Sequence, residues 1–174
     1  MQFFFYAVLV INSVHGLLLV TQKERRGLTI SEHAAKNRRT HGLYVAGHLL
    51  GGLLFLYFAH WFFLEVHKNQ GLYTITIFGV AVEWVQAFVP ARSKSEKYHV
   101  ALAILMSVVI TFLGIASALV LPLDSLTRVV CLCIGALLVL SYPVSLRLPR
   151  KYFWIIEMVN INLFYLMILL MTLG

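Results

Sequence analysis

The chain has 174 residues, 60% of them hydrophobic and only 12% charged, with a formal net charge of +7. Its mean hydropathy is +0.85. A soluble domain of this length needs far more polar surface, so the composition excludes a soluble globular protein and indicates an integral membrane protein.

Six apolar segments are predicted, at 1–20, 42–63, 72–89, 100–121, 127–146 and 152–173. Each is close to the roughly 20 residues that a helix needs to cross about 30 Å of hydrocarbon. They are continuous apolar runs, not the alternating segments of a transmembrane barrel. The expected fold is therefore all-α: a polytopic membrane protein forming one compact bundle of six transmembrane helices, with residues 1–174 as a single domain.

The first segment contains Asn12 and His15. It has no basic residue ahead of it and ends in Thr21-Gln22-Lys23, so it reads as a span and not as a cleavable signal. The loop that follows carries Lys23, Arg25, Arg26, Lys36, Arg38 and Arg39. Within it, Thr29 and Glu32 have capping-box spacing, which predicts that the second helix starts near Ile30 and runs on past Gly42. That helix carries His41, Tyr44 and His48 on one stripe, and Gly47 and Gly51 as a small-xxx-small pair suited to close helix contact, within the chain or in a homo-oligomer.

The third segment holds Glu83 and Gln86 and ends at Pro90, followed by a loop with Arg92, Lys94 and Lys97. His99 opens the fourth segment. The fifth contains Cys131 and Cys133, which point to nearly opposite sides of a helix and read as packing thiols. Arg147, Arg150 and Lys151 precede the sixth, which carries Glu157 and Asn160. Pro90, Pro122, Pro143 and Pro149 fall at or near helix ends.

Twelve of the fourteen basic residues thus occupy alternate loops, and only Lys68 and Arg128 lie in the others. The positive-inside rule then predicts cytoplasmic basic loops and extracytoplasmic termini. Topology and anionic lipid explain the net charge, so no nucleic-acid partner is expected. Lys36, Arg38, Arg39, Arg92 and Arg150 are the expected anionic-lipid contacts.

Ionisable residues inside the spans mark a functional site by default, because charge in hydrocarbon is costly. At ~1.5 Å per residue, His48 and Glu83 each lie about 10 Å from the cytoplasmic ends of their helices, with His15 and Glu157 at about 8 Å. Asn12 and His15, Glu83 and Gln86, and Glu157 and Asn160 are i, i+3 pairs, so each helix gathers its polar groups on one face. Such faces must turn inward. The predicted site is a cytoplasm-facing pocket lined by His15, His48, Glu83, Gln86, Glu157 and Asn160, with His41, Tyr44 and His99 at its mouth.

No cofactor is expected. A histidine–carboxylate set leaves a divalent metal on His48, Glu83 and Glu157 open, although no His-Glu-x-x-His motif is present. Haem is disfavoured, because twelve residues turn His48 and His60 about a third of a revolution apart. Retinal is excluded, since no lysine lies within a span.

The stretch Ala87-Phe88-Val89-Pro90, a short polar loop and then His99-Val100-Ala101-Leu102-Ala103 resembles the bacterial six-helix membrane proteins grouped as unknown-function family 998. These are distantly similar to eukaryotic DRAM, Sfk and PGAP-type membrane proteins. Thr29-Ile30-Ser31-Glu32 corresponds to the polar segment those families carry ahead of the second helix. The chain departs from their pattern in having Val89 between Phe88 and Pro90, and Ala91-Arg92 where an acidic residue is usual. The resemblance implies six spans, a bacterial or archaeal plasma membrane, and involvement with membrane lipids. It implies no catalytic residues.

Three functions are compatible with these features. The first is a pocket that binds lipid headgroups or a small anionic ligand. The second is a small proton- or cation-coupled transporter or channel using the histidines and carboxylates. The third is a membrane-embedded metal-dependent hydrolase, and whether the site is enzymatic is left open.

Overall fold

The computed structural model describes residues 1–21, 29–92, 95–149 and 152–174. Among them there are helices and no strands. In chain order the helices are α1 (Gln2–Val20), a short α2 (Ile30–Ala34), α3 (Arg38–Ala59), α4 (Gln70–Phe88), α5 (Glu96–Val120), α6 (Ser125–Arg147) and α7 (Phe153–Leu173). The end of α3 continues as a π-helical stretch, His60–Val66.

Five helical stretches are long and apolar enough to cross a membrane: Gln2–Val20, Arg38–Val66, Gln70–Phe88, Glu96–Val120 and Phe153–Leu173. In α6 the apolar part, Ser125–Ser141, is shorter. The outer faces of the helices are apolar too, with Leu9, Tyr57, Phe78, Val108, Phe112, Leu140 and Val159 all exposed. In water such a belt would drive aggregation, whereas in a bilayer it is the surface that lipid covers. The architecture is that of a helical membrane protein.

Side chains supply the partners that helix ends lack. Asn69 Oδ1 accepts from Leu72 N–H at 3.0 Å to start α4. Asp124 Oδ1 accepts from Leu126 and Thr127 N–H to start α6. At the other side of that turn, Arg128 donates to the Ala118 and Leu121 carbonyls and so closes the end of α5. This accounts for one of the two basic residues outside the basic loops. The other, Lys68, takes a left-handed conformation (φ 52°) in the turn into α4.

The capping box forms: Glu32 N–H donates to Thr29 Oγ1, and Thr29 N–H to Glu32 Oε2. It does not start one long second helix. α2 stops after five residues, and Asn37, with extended backbone, caps a new helix by accepting from Thr40 N–H. Thr40 Oγ1 donates back to the Ala34 carbonyl, fixing the elbow between the two. An Asx cap of this kind offers the backbone an alternative to helix continuation, which is why the chain breaks there.

α1 packs against α3, α3 against α4, α4 against α5, α5 against both α6 and α7, and α6 against α7. Phe4 and Tyr165 (ring centroids 5.9 Å apart) and Asn162 with Asn12 (3.1 Å) close the ring between α7 and α1. Met1 meets Thr172, so both termini lie at one end of the bundle. At the other, basic end, Arg92 donates to the Ala35 carbonyl and Ile30 N–H reaches Glu157.

The glycine pair is spent within the chain. A Cβ on Gly47 would sit 2.6 Å from Val14, and one on Gly51 would sit 2.6 Å from Ile11, so α1 covers this face of α3. Gly52 abuts the Trp84 indole of α4. Cys131 is buried and Cys133 exposed, as expected of residues on opposite helix sides. Pro143 lies inside α6, not at its end.

Candidate functional site: an imidazole–imidazole–carboxylate relay

His15 on α1, His48 on α3 and Glu83 on α4 meet in one hydrogen-bonded chain. His48 Nδ1 lies 2.8 Å from Glu83 Oε1, and His48 Nε2 lies 3.1 Å from His15 Nε2. His15 and His48 are 2% and 5% exposed. Close approach of α1 to α3 at Gly47 and Gly51 lets two imidazoles face each other directly. Trp84, one residue after Glu83, donates its indole N–H to the His48 carbonyl at 3.2 Å and so braces the backbone of the central residue. The Tyr44 ring packs 4.2 Å from the His48 ring and stacks on His15 at 6.2 Å.

Two N–H groups cannot face each other at 3.1 Å. One proton therefore lies between the two imidazoles, and one of the facing nitrogens is a bare acceptor. On its other side His48 Nδ1 meets the Glu83 carboxyl group. The His48–Glu83 pair is part-buried, whereas the similar pair of His60 with Glu65 is exposed. The far nitrogen of His15, Nδ1, is buried without a partner.

The pair His48–Glu83 forms the polar end of a cavity of about 70 Å³ in the bundle interior, otherwise lined chiefly by apolar side chains such as Phe55, Val109 and Leu113. Thr76 and Tyr165 also line it. That volume holds a few water molecules. On the basic side lies a cluster of Leu18, Ile30, Ala34, Tyr44 and Ala87, and a larger cluster rich in aromatics includes Phe4, Phe58 and Phe62.

The other expected site residues lie elsewhere. Glu157 accepts from Ile30 N–H at 2.9 Å, because a carboxylate is stabilised by the unpaired N–H groups at a helix start. It lines a separate cavity of about 170 Å³ at the basic end with Thr29, Ser31, Glu32, Glu96 and His99. Glu83 and Glu157 thus have different partners and line different cavities, although Tyr44 is within Coulombic reach of both. Gln86 meets His99 Nε2 at 3.4 Å, while His99 Nδ1 donates to the Val89 carbonyl at 2.6 Å and ties the turn after α4. Asn160 faces a third cavity, between α5, α6 and α7. His41 sits in the first turns of α3, within Coulombic reach of His99. Lys36, Arg38, Arg39 and Arg92 are exposed at the basic end, and Arg150 lies outside the described residues.

His48, Glu83 and Glu157 form no joint ligand set, and among the described residues no group of three or more His, Cys, Asp or Glu side chains could hold a metal ion. Trp84, Thr76 and Tyr165 were not singled out from the sequence. Trp84 carried a signal, since an indole N–H inside a span needs an acceptor. Outside the spans, His33 of α2 is buried with both ring nitrogens unpartnered. Burial, and secondarily the charge of Lys36, hold its pKa below the ordinary value.

In comparisons with protein-family models, curated proteins and solved structures, nothing matches this chain.

Proposed function

We propose that the chain is a small proton-coupled membrane transporter in which Glu83, His48 and His15 form the proton-binding element. The observation that carries this reading is the unbroken hydrogen-bonded path from Glu83 Oε1 through both rings of His48 and His15. A proton reaching His15 releases one from its Nε2 to His48, which passes its Nδ1 proton to Glu83. Each step moves a hydrogen by one bond, and the carboxylate offsets the positive charge at the centre. Apolar clusters pack on either side of the three residues, which suits a carrier better than a channel, since a channel needs a continuous wet path. In this reading the basic loops are cytoplasmic, α6 is the sixth span, and the termini face outward.

The test needs no knowledge of the cargo. Protein reconstituted in liposomes on a solid-supported membrane is given a pH jump, and the transient current is recorded. Currents that vanish in Glu83→Gln and His48→Ala but persist in His60→Ala support the relay. Equal currents in all three variants, or none in the unmodified protein, overturn it.

The cavity at the basic end favours a second reading, lipid headgroup binding, which the resemblance to lipid-linked six-helix families also implies. Its lining includes the hydroxyls of Thr29 and Ser31 with Glu157 and His99, which suits a polar headgroup carrying both a donor and an acceptor. A zwitterionic headgroup would put its ammonium there and its phosphate among Arg38, Arg39 and Arg92. Preferential retention of phosphatidylethanolamine over phosphatidylglycerol during purification would support it; the reverse order would contradict it.

A further inference from the structure

The third cavity is the largest of the three, about 320 Å³, and lies between α5, α6 and α7, away from the relay. That is within the range of small-molecule sites, roughly 300–1,000 Å³. It opens toward the lipid-covered face, and its walls are mostly apolar, with exposed Val108 and Phe112 at the opening and buried Leu138 inside. Its polar groups are specialised. Ser107 donates its hydroxyl hydrogen to the Ala103 carbonyl at 2.9 Å, and Ser141 donates to Leu138 at 2.7 Å. Both hydroxyl oxygens are left with acceptor capacity only. Asn160 Oδ1 is buried and has no partner. Pro143 has no N–H to offer the Val139 carbonyl one turn earlier, and Val139 is also in the wall. Thr111 contributes a further hydroxyl, and among the described residues no Lys, Arg or His lines the cavity.

A buried acceptor in hydrocarbon without a donor costs free energy comparable to a lost hydrogen bond. The acceptors converge on one cavity, and no cation among the described residues lines it. A carboxylate or phosphate would bring more acceptors and a charge with no counter-ion. An ether would bring no hydrogen. From this geometry we infer a second binding site, for an amphiphilic alcohol whose chain lies against the apolar wall and whose hydroxyl donates to Asn160 Oδ1. Ser107 and Ser141 add secondary acceptors in the same cavity, while the unpartnered Asn160 Oδ1 carries the preference.

Equilibrium binding of radiolabelled hexadecanol to the purified protein in detergent tests this, with hexadecyl methyl ether and palmitate as competitors. Hexadecanol should bind saturably, and on the order of tenfold more tightly than either competitor, which is the worth of one or two net hydrogen bonds. Asn160→Leu should abolish that preference, and Ser107→Ala, which removes an acceptor without adding bulk, should reduce it several-fold. Glu83→Gln should leave it unchanged, which separates this site from the relay. Equal competition by the ether, absence of saturable binding, or an undiminished preference in Asn160→Leu would overturn the inference. If Asn160→Leu does not fold, the result for Ser107→Ala decides.

Discussion

Replacing Gly51 with alanine tests how α1 and α3 are held together, and with them the two halves of the imidazole pair. The added Cβ would lie 2.6 Å from Ile11 Cδ1 and 2.7 Å from Cγ1. Carbon atoms at rest sit about 3.5–4.0 Å apart, so the overlap is roughly 1 Å. Ile11 is only 2% exposed, and the small cavity it borders with Gly51 allows its Cδ1 to give way only in part. Overpacking of this kind costs about 1–3 kcal/mol, against a gain of up to ~1 kcal/mol from the better helix propensity of alanine. The expected net loss is about 0–2 kcal/mol, and relative to the glycine-to-alanine controls below, which keep the propensity gain, about 1–3 kcal/mol. At about 2–4 °C per kcal/mol for a chain of this size, thermal unfolding in detergent should lie roughly 2–12 °C below that of the controls. Gly16→Ala and Gly42→Ala are the controls, because nothing lies within 4 Å of a Cβ at either position. Only the propensity gain remains there, so both should be neutral or slightly stabilising. Pairing Gly51→Ala with Ile11→Ala should give a double variant more stable than the sum of the single losses. If Gly51→Ala is as stable as Gly42→Ala, the close approach of α1 to α3 at Ile11 is incorrect.

Three further outcomes are expected. Asn37→Ala removes the side chain that accepts from Thr40 N–H and should destabilise the protein by about 0.5–2 kcal/mol, read in the same melts; no loss would mean that the elbow before α3 is not capped by Asn37. His33 has a lowered pKa in the folded state, so its contribution to stability is fully present above its unfolded value of 6.5 and is lost as the pH falls below it. His33→Phe should therefore flatten the acid side of the stability–pH profile, and an unchanged profile would show that His33 does not carry it. Single cysteines placed near Lys36, Ser95 and Arg150, in a background without Cys131 and Cys133, should resist an external impermeant thiol reagent while those near Asn69 and Ser125 react; the opposite pattern would invert the proposed orientation.

The sequence made the spans legible because lipid leaves the backbone few choices: an apolar run of about twenty residues must become a helix. The cost of charge in hydrocarbon also marked His15, His48 and Glu83, and their helical spacing gave the inward faces. Glu157 satisfies the same criteria and goes elsewhere, because its partner is the N–H of Ile30, 127 residues away in the chain. No periodicity within α7 reports that α2 folds over its end. The break at Asn37 was hidden for a different reason. Apolar and basic residues continue on both sides of it, and only the local competition between an Asx cap and helix propagation ends α2 at Ala34. Asn160, three residues after Glu157, shares its helix side yet faces α5 and α6, since the inner surface is divided among several cavities.

The direct hydrogen bond between two imidazoles is the feature on which the proton-coupled reading rests. Solid-state NMR of ¹⁵N-histidine protein in lipid bilayers measures it without reference to cargo. A nitrogen–nitrogen correlation between His15 Nε2 and His48 Nε2, carried by a shared proton and absent in His15→Gln, is the predicted result. Two isolated ring signals with no correlation, unaffected by loss of His15, would contradict it.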